Sequence, residues 1–382
     1  MIIHDVLLKY FPPIDLLTHW HLNYKAHEPV HSLQANALMC VQNFEYTALP
    51  LWRSIDPINE CAIATMRFKN GVIFSDIINA QKTISHLKKA QFFLNENPIS
   101  CLVNAWWGKF TCVYVPSGIH LSETIQLLSK ITRDATYLSH KIIIYCASGS
   151  SLEIFDNIRS LNNKNSIIVR SVEIILEENA SLLYTLHQEC DNHTKVLDSL
   201  NIQLHKGSSF KGYIHVFPGA ESYHIINGKC SESGASLIVN GGQILDSDDK
   251  CFIAVTQNHS ALSTETKTLL KSIVLGAALY NYEGNIVIEN GAKKSYADQQ
   301  NRVFLCGSAA QATSIPNLEA KTDDIYCSHG SAIGQLEPED LFYIQSRGVN
   351  EEASYRLLFE NFLSEIACVQ DVKKMLSLIH CT

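Results

Sequence analysis

The spacing of apolar residues changes character twice along this chain. Before about residue 110 the pattern is mixed and largely helical: Ser32 to Phe44 and Ala80 to Leu94 carry apolar residues at helix-like intervals. Between them, Ala62 to Ile78 predicts a hairpin turned at Asn70-Gly71, a strong two-residue turn signal. Trp106 and Trp107 close this segment; paired tryptophans suit core packing or a sugar-stacking platform, and packing is favoured. From about Phe110 short β-rich runs take over. Lys141 to Tyr145, Val172 to Leu176, Ile202 to Leu204, Leu237 to Val239 and Ile286 to Ile288 are examples.

Small-residue corners punctuate these runs, and four of them resemble one another. They are Gly149-Ser150-Ser151-Leu152, Asn179-Ala180-Ser181-Leu182, Gly207-Ser208-Ser209-Phe210 and Gly234-Ala235-Ser236-Leu237, with starts 30, 28 and 27 residues apart. Each opens on a residue tolerant of positive φ, continues with small residues where the chain bends, and ends on an apolar residue that points into a stack. Similar corners at near-constant spacing mark a solenoid, in which each coil buries its apolar face against the next. A β-sandwich with glycine-rich turns is the alternative, but its turns recur at roughly 8–12 residues. The fold class expected is therefore mostly β: a right-handed parallel β-helix between an N-terminal mixed, largely helical domain and a C-terminal helical domain. The boundaries expected are 1–110, 111–334 and 335–382.

Helical spacing returns after Gly334. Pro338 sits at a helix start among Glu337, Glu339 and Asp340, Leu341, Phe342, Ile344 and Gln345 continue that helix, and Gly348 suits a C-terminal cap. Asn350 caps a second helix with Glu351 and Glu352 in its first turn, and Leu357, Leu358, Phe362 and Ile366 give it an apolar stripe. Asp371 to Thr382 form a short tail.

Composition narrows the functional classes. Charged residues are only 18% of the 382, against 46% apolar, which suits a chain that hides surface against another subunit or has a large core. The net charge of −8 comes with no basic block, which sets nucleic-acid binding aside. Twelve cysteines are scattered with no CxxC pair, and the N-terminus lacks the pattern of a secretory signal. A cytoplasmic location is expected, with most thiols acting as small buried hydrophobes. No run of about eighteen apolar residues predicts a membrane span.

No Walker A loop, GxGxxG, HExxH or GxSxG is present. Asp246, Asp248 and Asp249 could suggest the carboxylates of a polysaccharide-cleaving solenoid, but they cluster in one turn, and a solvated acidic turn is favoured. In Ile325-Tyr326-Cys327-Ser328-His329-Gly330 an extended chain places Cys327 and His329 on one face. A thiolate and an imidazole can bind zinc, iron or an iron–sulfur cluster, yet two ligands make an incomplete site. A buried cysteine beside a satisfied histidine is the other reading.

The words around this run carry a resemblance. Ile315-Pro316-Asn317-Leu318-Glu319, Asp323 through Leu336, Leu341-Phe342-Tyr343 and Ser346-Arg347-Gly348 together resemble the C-terminal signature of the SufD family of the SUF iron–sulfur assembly machinery. Val113-Tyr114-Val115-Pro116-Ser117-Gly118 is similar to that family's start of the β-helix, and Glu173-Ile174 through Asn179-Ala180 to its first rungs. His259, Ser263, Thr264 and Lys267 match a further stretch. The likeness runs from about residue 110 to 366. Cys-Ser-His-Gly followed by Gly334-Gln335 is SufD-like; the acidic residue near the histidine and the cysteine-rich N-terminal motif of the paralogous SufB are missing. Of a family motif Glu-x-Trp-(Lys/Arg)-Tyr-Thr only Glu45-Tyr46-Thr47 remains.

The resemblance implies a scaffold without its own catalysis, pairing with SufB through C-terminal rungs and docking the ATPase SufC. By position, His329 would face a SufB cysteine where a nascent cluster assembles, with Cys327 beside it as a second ligand candidate. Pro338, Leu341, Phe342, Tyr343, Arg347 and Gly348, with the helix from Asn350, would dock SufC. No permanent cofactor is implied, only a transient iron–sulfur cluster on the complex. A SufD-like homodimer apart from SufB and a carbohydrate-active β-helix enzyme remain as alternatives.

Overall fold

The computed structural model describes residues 66–67, 73–75, 97–105, 109–131, 137–160, 165–335 and 338–366, with the single positions 373 and 376. The helices expected at 32–44 and 80–94, Trp106, Trp107, the Glu45-Tyr46-Thr47 remnant and nearly all of the tail lie outside the described residues. Strands β1 (Met66–Arg67) and β2 (Ile73–Ser75) pair antiparallel, as the hairpin expected around Asn70-Gly71 requires.

Beyond them the chain winds into a parallel β-solenoid. One wall is built from β3 (Lys109–Val115), β5 (Tyr137–Cys146), β7 (Ser166–Leu176), β9 (Thr194–Leu204), β11 (Ala220–Cys230), β13 (Lys250–His259), β15 (Leu279–Ile288) and β17 (Gln311–Ala320). The other is built from β4 (Ile125–Ile131), β6 (Ser151–Ser160), β8 (Ser181–Glu189), β10 (Ser209–Val216), β12 (Ser236–Leu245), β14 (Glu265–Leu275), β16 (Ser295–Cys306) and β18 (Ile325–Gln335). Successive strands thus alternate between walls. Alternate side chains of each strand point into one continuous apolar stack running from Val113 to Val303.

The corners stack as their sequence likeness implies. Ser151, Ser181, Ser209 and Ser236 lie in register from strand to strand. Gly149, Asn179, Gly207 and Gly234 all have positive φ, between 57 and 74°. Their amides form a ladder, Gly149 N donating to Glu178 O, Asn179 N to Lys206 O and Gly207 N to Ser233 O. The row extends past the four repeats: Gly118 precedes it, and Ser263 and Lys294 continue it with φ of 55 and 57°. Those two residues accept a costly backbone because the ladder persists through Ser263 N to Lys293 O and Lys294 N to Asp324 O.

Helices cover the outer faces. Helix α1 (Pro98–Ala105) seats Ile99, Leu102 and Val103 on Val169, Leu197 and Tyr223 of the first wall. Helix α2 (Pro338–Gln345) is followed by Gly348 at φ 88°. Helix α3 (Glu351–Leu363) is capped by Asn350, whose Oδ1 accepts from Ala353 N. Of the expected stripe on α3, Ile366 is buried, Phe362 packs against the same cluster and Leu358 is half-buried, but Leu357 needs correction. Phe359, Leu363 and Ile366 are buried against Phe217, Ile244 and Ile273, whereas Leu357 is 48% exposed. The 3.6-residue period sets the buried line at 359, 363 and 366, which turns Leu357 away from the wall. Lys271 of β14 fastens the end of this helix, donating to Phe362 O at 2.8 Å and pairing with Glu365 at 2.6 Å.

The interior is not wholly apolar. Arg170 points inward and forks onto Asp156, its Nη1 at 3.1 Å from Oδ1 and its Nη2 at 2.5 Å from Oδ2. Its Nε lies 3.1 Å from Asp198 Oδ1, a charge contact without hydrogen-bond alignment. Tyr184 donates to Asp156 Oδ2, and His224 Nδ1 stands 3.5 Å from Asp198 Oδ2. His140, Arg170, Asp198 and His224 occupy one in-register row of the first wall. On the outer side of that wall, Lys141 and Glu173 form a buried ion pair.

Another buried histidine gives a pH prediction. His259 is fully buried, with Nδ1 2.6 Å from Thr264 Oγ1 and Nε2 2.8 Å from Thr266 Oγ1. Burial pushes its imidazole down to about 4. Its folded value lies below the unfolded one, so between the two the unfolded chain binds the extra proton. The contribution is therefore complete above about pH 6.5 and is lost as pH falls toward 4, with about 2 kcal/mol gone by pH 5. Urea unfolding at about pH 7 and pH 5 should show this loss in the native chain and a smaller one in His259→Gln. Equal losses would contradict it.

Candidate functional site

The two walls end together. β17 is the terminal strand of one wall and β18 of the other, whereas at the opposite end β2 covers β3 in antiparallel pairing. The consequence is visible in residues that alternate inward yet meet no further coil. Leu318 is in register with buried Ile286, and Ile333 with buried Val303, but the two are 40% and 42% exposed. They are core positions of a stack on which no further coil lies among the described residues. Main-chain groups on the free side of β17 and β18 have no strand beside them among the described residues, the arrangement that lets another chain add a strand.

Cys327 and His329 lie on this terminal strand. The structure places both at inward-alternating positions of β18, in register with Ala297 and Gln299. Their surroundings differ. Cys327 is half-buried against Ile286, Ile288, Ala292 and Ala297, while His329 is exposed at the open end. Ser328, facing outward between them, is fixed by its hydroxyl donating to Asp298 Oδ1 at 2.5 Å. Tyr326 stacks on Tyr296 with centroids 4.9 Å apart, and Lys267 lies over Tyr296 at 5.1 Å. Gly330 and Gly334 take the outward positions, and a Cβ on either would meet nothing within 4 Å. Packing inside this chain does not require those glycines; they leave the edge backbone bare.

The donor set is small. Among the described residues no group of three or more His, Cys, Asp or Glu side chains could hold a metal ion. Cys327 and His329 are thus at most half of a four-ligand site, and the remaining ligands would have to come from another molecule. The other cysteines offer little. Cys112, Cys146, Cys190, Cys230 and Cys251 are buried, and burial pushes each thiol up to about 12, which keeps it protonated and unreactive.

The helical residues singled out by sequence form a separate surface. Phe342 is 70% exposed and Tyr343 62% exposed on α2. Arg347 lies over the Tyr343 ring at 5.0 Å and donates to its hydroxyl at 3.2 Å. Leu341 is half-buried, Gly348 is exposed, and Leu357 of α3 adds further apolar exposure. Pro338 opens α2.

The acidic turn has a structural task. Asp249 Oδ2 accepts from Gly219 N at 3.0 Å and from Asp246 N at 2.9 Å, which closes the turn where Ser247 has φ 56°. Burial raises its carboxyl to about 6. The expected solvated turn therefore needs correction at Asp249, which is buried and builds the corner with Asp246, while Asp248 is exposed. Sequence reading missed the interior ion network. The available signal was a charged residue in phase with apolar ones, as in Ile168, Arg170, Val172 and Ile174.

Comparison with known proteins places this architecture. The family model described as the SufBD core domain of SUF-system FeS cluster assembly matches residues 129–362. The iron–sulfur cluster assembly protein SufD of Bacillus subtilis is 25% identical, over 96% of this chain and 88% of its own length. SufD of Plasmodium falciparum is 27% identical over 59% of this chain, which is 16% of that longer protein. An iron–sulfur cluster assembly SufBD family protein of Synechocystis is 27% identical over 66% of this chain and 58% of its own length. No helix among the described residues is long and apolar enough to cross a membrane.

Proposed function

The chain belongs to the SufBD core family of SUF-system FeS cluster assembly proteins and is SufD-like; on that premise we propose that it is a non-catalytic scaffold subunit whose open solenoid end receives SufB. The observation that carries the reading is the last coil, where Leu318 and Ile333 keep core positions with no covering layer among the described residues. A SufB solenoid added edge to edge would bury them and extend both walls through main-chain hydrogen bonds. It would also bring donors from the partner to Cys327 and His329, which cannot form a complete site alone.

His329 is the better ligand of the pair. It is exposed on the terminal strand, where a ligand nitrogen can be reached from a partner's side, and imidazole is a common iron ligand. Cys327, half-buried beside it, is the supporting donor. The cluster is cargo, formed at the interface and passed on. The exposed Phe342, Tyr343 and Leu357, with Arg347 on the Tyr343 ring, are the surface for the ATPase SufC. Lys271 and Glu365 tie α3 to β14, two strands from β18 in the same wall, so force applied to the helices would reach the wall that carries His329. This division of roles accords with a cytoplasmic protein.

The test is reconstitution. Mixed with SufB and SufC, the chain should elute as one larger complex, and the complex should build iron–sulfur cluster from iron and sulfide donors. His329→Ala should leave the complex intact and lower cluster yield by at least roughly tenfold, the lower range for loss of a metal ligand or its close support. An unchanged yield on an intact complex would remove His329 from the ligand set. Failure to co-elute would favour a homodimer through the same open end.

A further inference from the structure

Behind His329 the last coils contain polar groups that are buried and unpaired. Gln257, Thr268, Tyr282 and Gln299 are all at least 98% buried. Both amide atoms of Gln299, the Oε1 of Gln257, the hydroxyl of Tyr282 and the hydroxyl of Thr268 have no hydrogen-bond partner among the described residues. These atoms converge. All four side chains alternate inward from β13, β14, β15 and β16. The Gln299 amide and the Tyr282 hydroxyl both crowd Gly284, where a Cβ would collide with each. Gln257 reaches the same coil, its Nε2 donating to Asp298 O at 3.4 Å. Thr268 lies in register under Gln299, and Gln299 under His329.

Five unpaired polar atoms in one buried place would be strongly destabilising if dry. Their chemistry says what could satisfy them. The set holds one donor-only nitrogen, two acceptor-only carbonyl oxygens and two hydroxyls that do either. These four side chains include no carboxylate or thiolate to hold a cation and no positive charge to hold an anion. Water is the ligand that donates and accepts in such a mixed neutral site, given two to four polar partners.

We infer that Gln257, Thr268, Tyr282 and Gln299 enclose a binding site for ordered water, forming a hydrated chamber directly beneath His329. Gly284 is the wall position that makes room for the Gln299 amide and the Tyr282 hydroxyl. The column Thr268–Gln299–His329 links the chamber to the open end, so its water is the inner hydrogen-bonding floor of the imidazole. That floor would stay in place when another chain covers the outside. Water would occupy this place whether or not His329 binds a metal.

The experiment uses the full chain labelled with ¹⁵N in glutamine side chains. The Gln299 amide is assigned by its disappearance in Gln299→Met, and magnetisation transfer from water to that amide is recorded. A direct, long-lived water contact is expected, despite complete burial of the side chain. An assigned Gln299 amide without water contact would overturn the chamber. If Gln299→Met does not fold, Thr268→Val provides the assignment, because loss of the neighbouring hydroxyl should shift the Gln299 signal and weaken its water contact. No change on that substitution would equally overturn the inference.

Discussion

Replacing Arg170 with methionine is expected to destabilise the chain by about 3–5 kcal/mol, the cost of breaking a buried ion pair by removing one partner. Arg170 is fully buried and sits between two carboxylates, Asp156 and Asp198, which are buried with it. Methionine fills much of the volume, so the loss would come from charges left without a counter-ion rather than from a cavity. Burial alone would raise the Asp198 carboxyl; the Arg170 charge and the hydrogen bond from His224 overcome this and hold it below the usual carboxylate range. A lowered folded value means stability that is present above the unfolded value, about 3.9, and lost as pH falls through the folded one. Urea unfolding near neutral pH measures the predicted loss. Adding Asp156→Leu and Asp198→Leu to Arg170→Met should recover part of it. A single variant as stable as the native chain would show that the network does not hold these coils together.

The second large effect concerns the open end. Leu318→Asp should weaken association with SufB by more than roughly 100-fold, since a carboxylate would be forced into an apolar interface without a partner. The isolated chain should hardly notice. Leu318 is 40% exposed on the last coil, and nothing stacks beyond it among the described residues, so stability should change by less than about 1 kcal/mol. Titration of labelled SufB with the native and altered chains gives the ratio, and thermal unfolding of the chain alone gives the control. Undiminished affinity would place the interface elsewhere.

Much of the solenoid is legible in the sequence, because its corners obey local chemistry. Gly149, Asn179, Gly207 and Gly234 are residues that tolerate positive φ, and each is followed by small residues and an inward apolar one. Ser263 and Lys294 perform the same turn without that signature. There the neighbouring coils, through their amide ladder, impose what the residue does not favour. The second set of turns, near Ser247 and Gly276, left no comparable repeat. Interior polar residues were equally obscure. Arg170 or Gln299 looks like any polar residue in a β-rich run until register shows which face it takes.

The candidate site was legible for a different reason. Spacing alone made Cys327 and His329 a two-ligand fragment, and the words around them supplied the family. What sequence could not show is that their strand terminates a wall, with Leu318 and Ile333 left at uncovered core positions. Nor could it show how α3 turns. Helical spacing permits several faces, and only the partners Phe217, Ile244 and Ile273 select Phe359, Leu363 and Ile366 over Leu357.

If SufB covers the open end that carries His329, amide hydrogen exchange of the chain, alone and bound to SufB, should reveal it. Strong new protection is expected in Gln311–Ala320 and Ile325–Gln335, the two terminal strands, with little change in the strands behind them. Protection elsewhere, with these two segments exchanging as they do in the free chain, would contradict it.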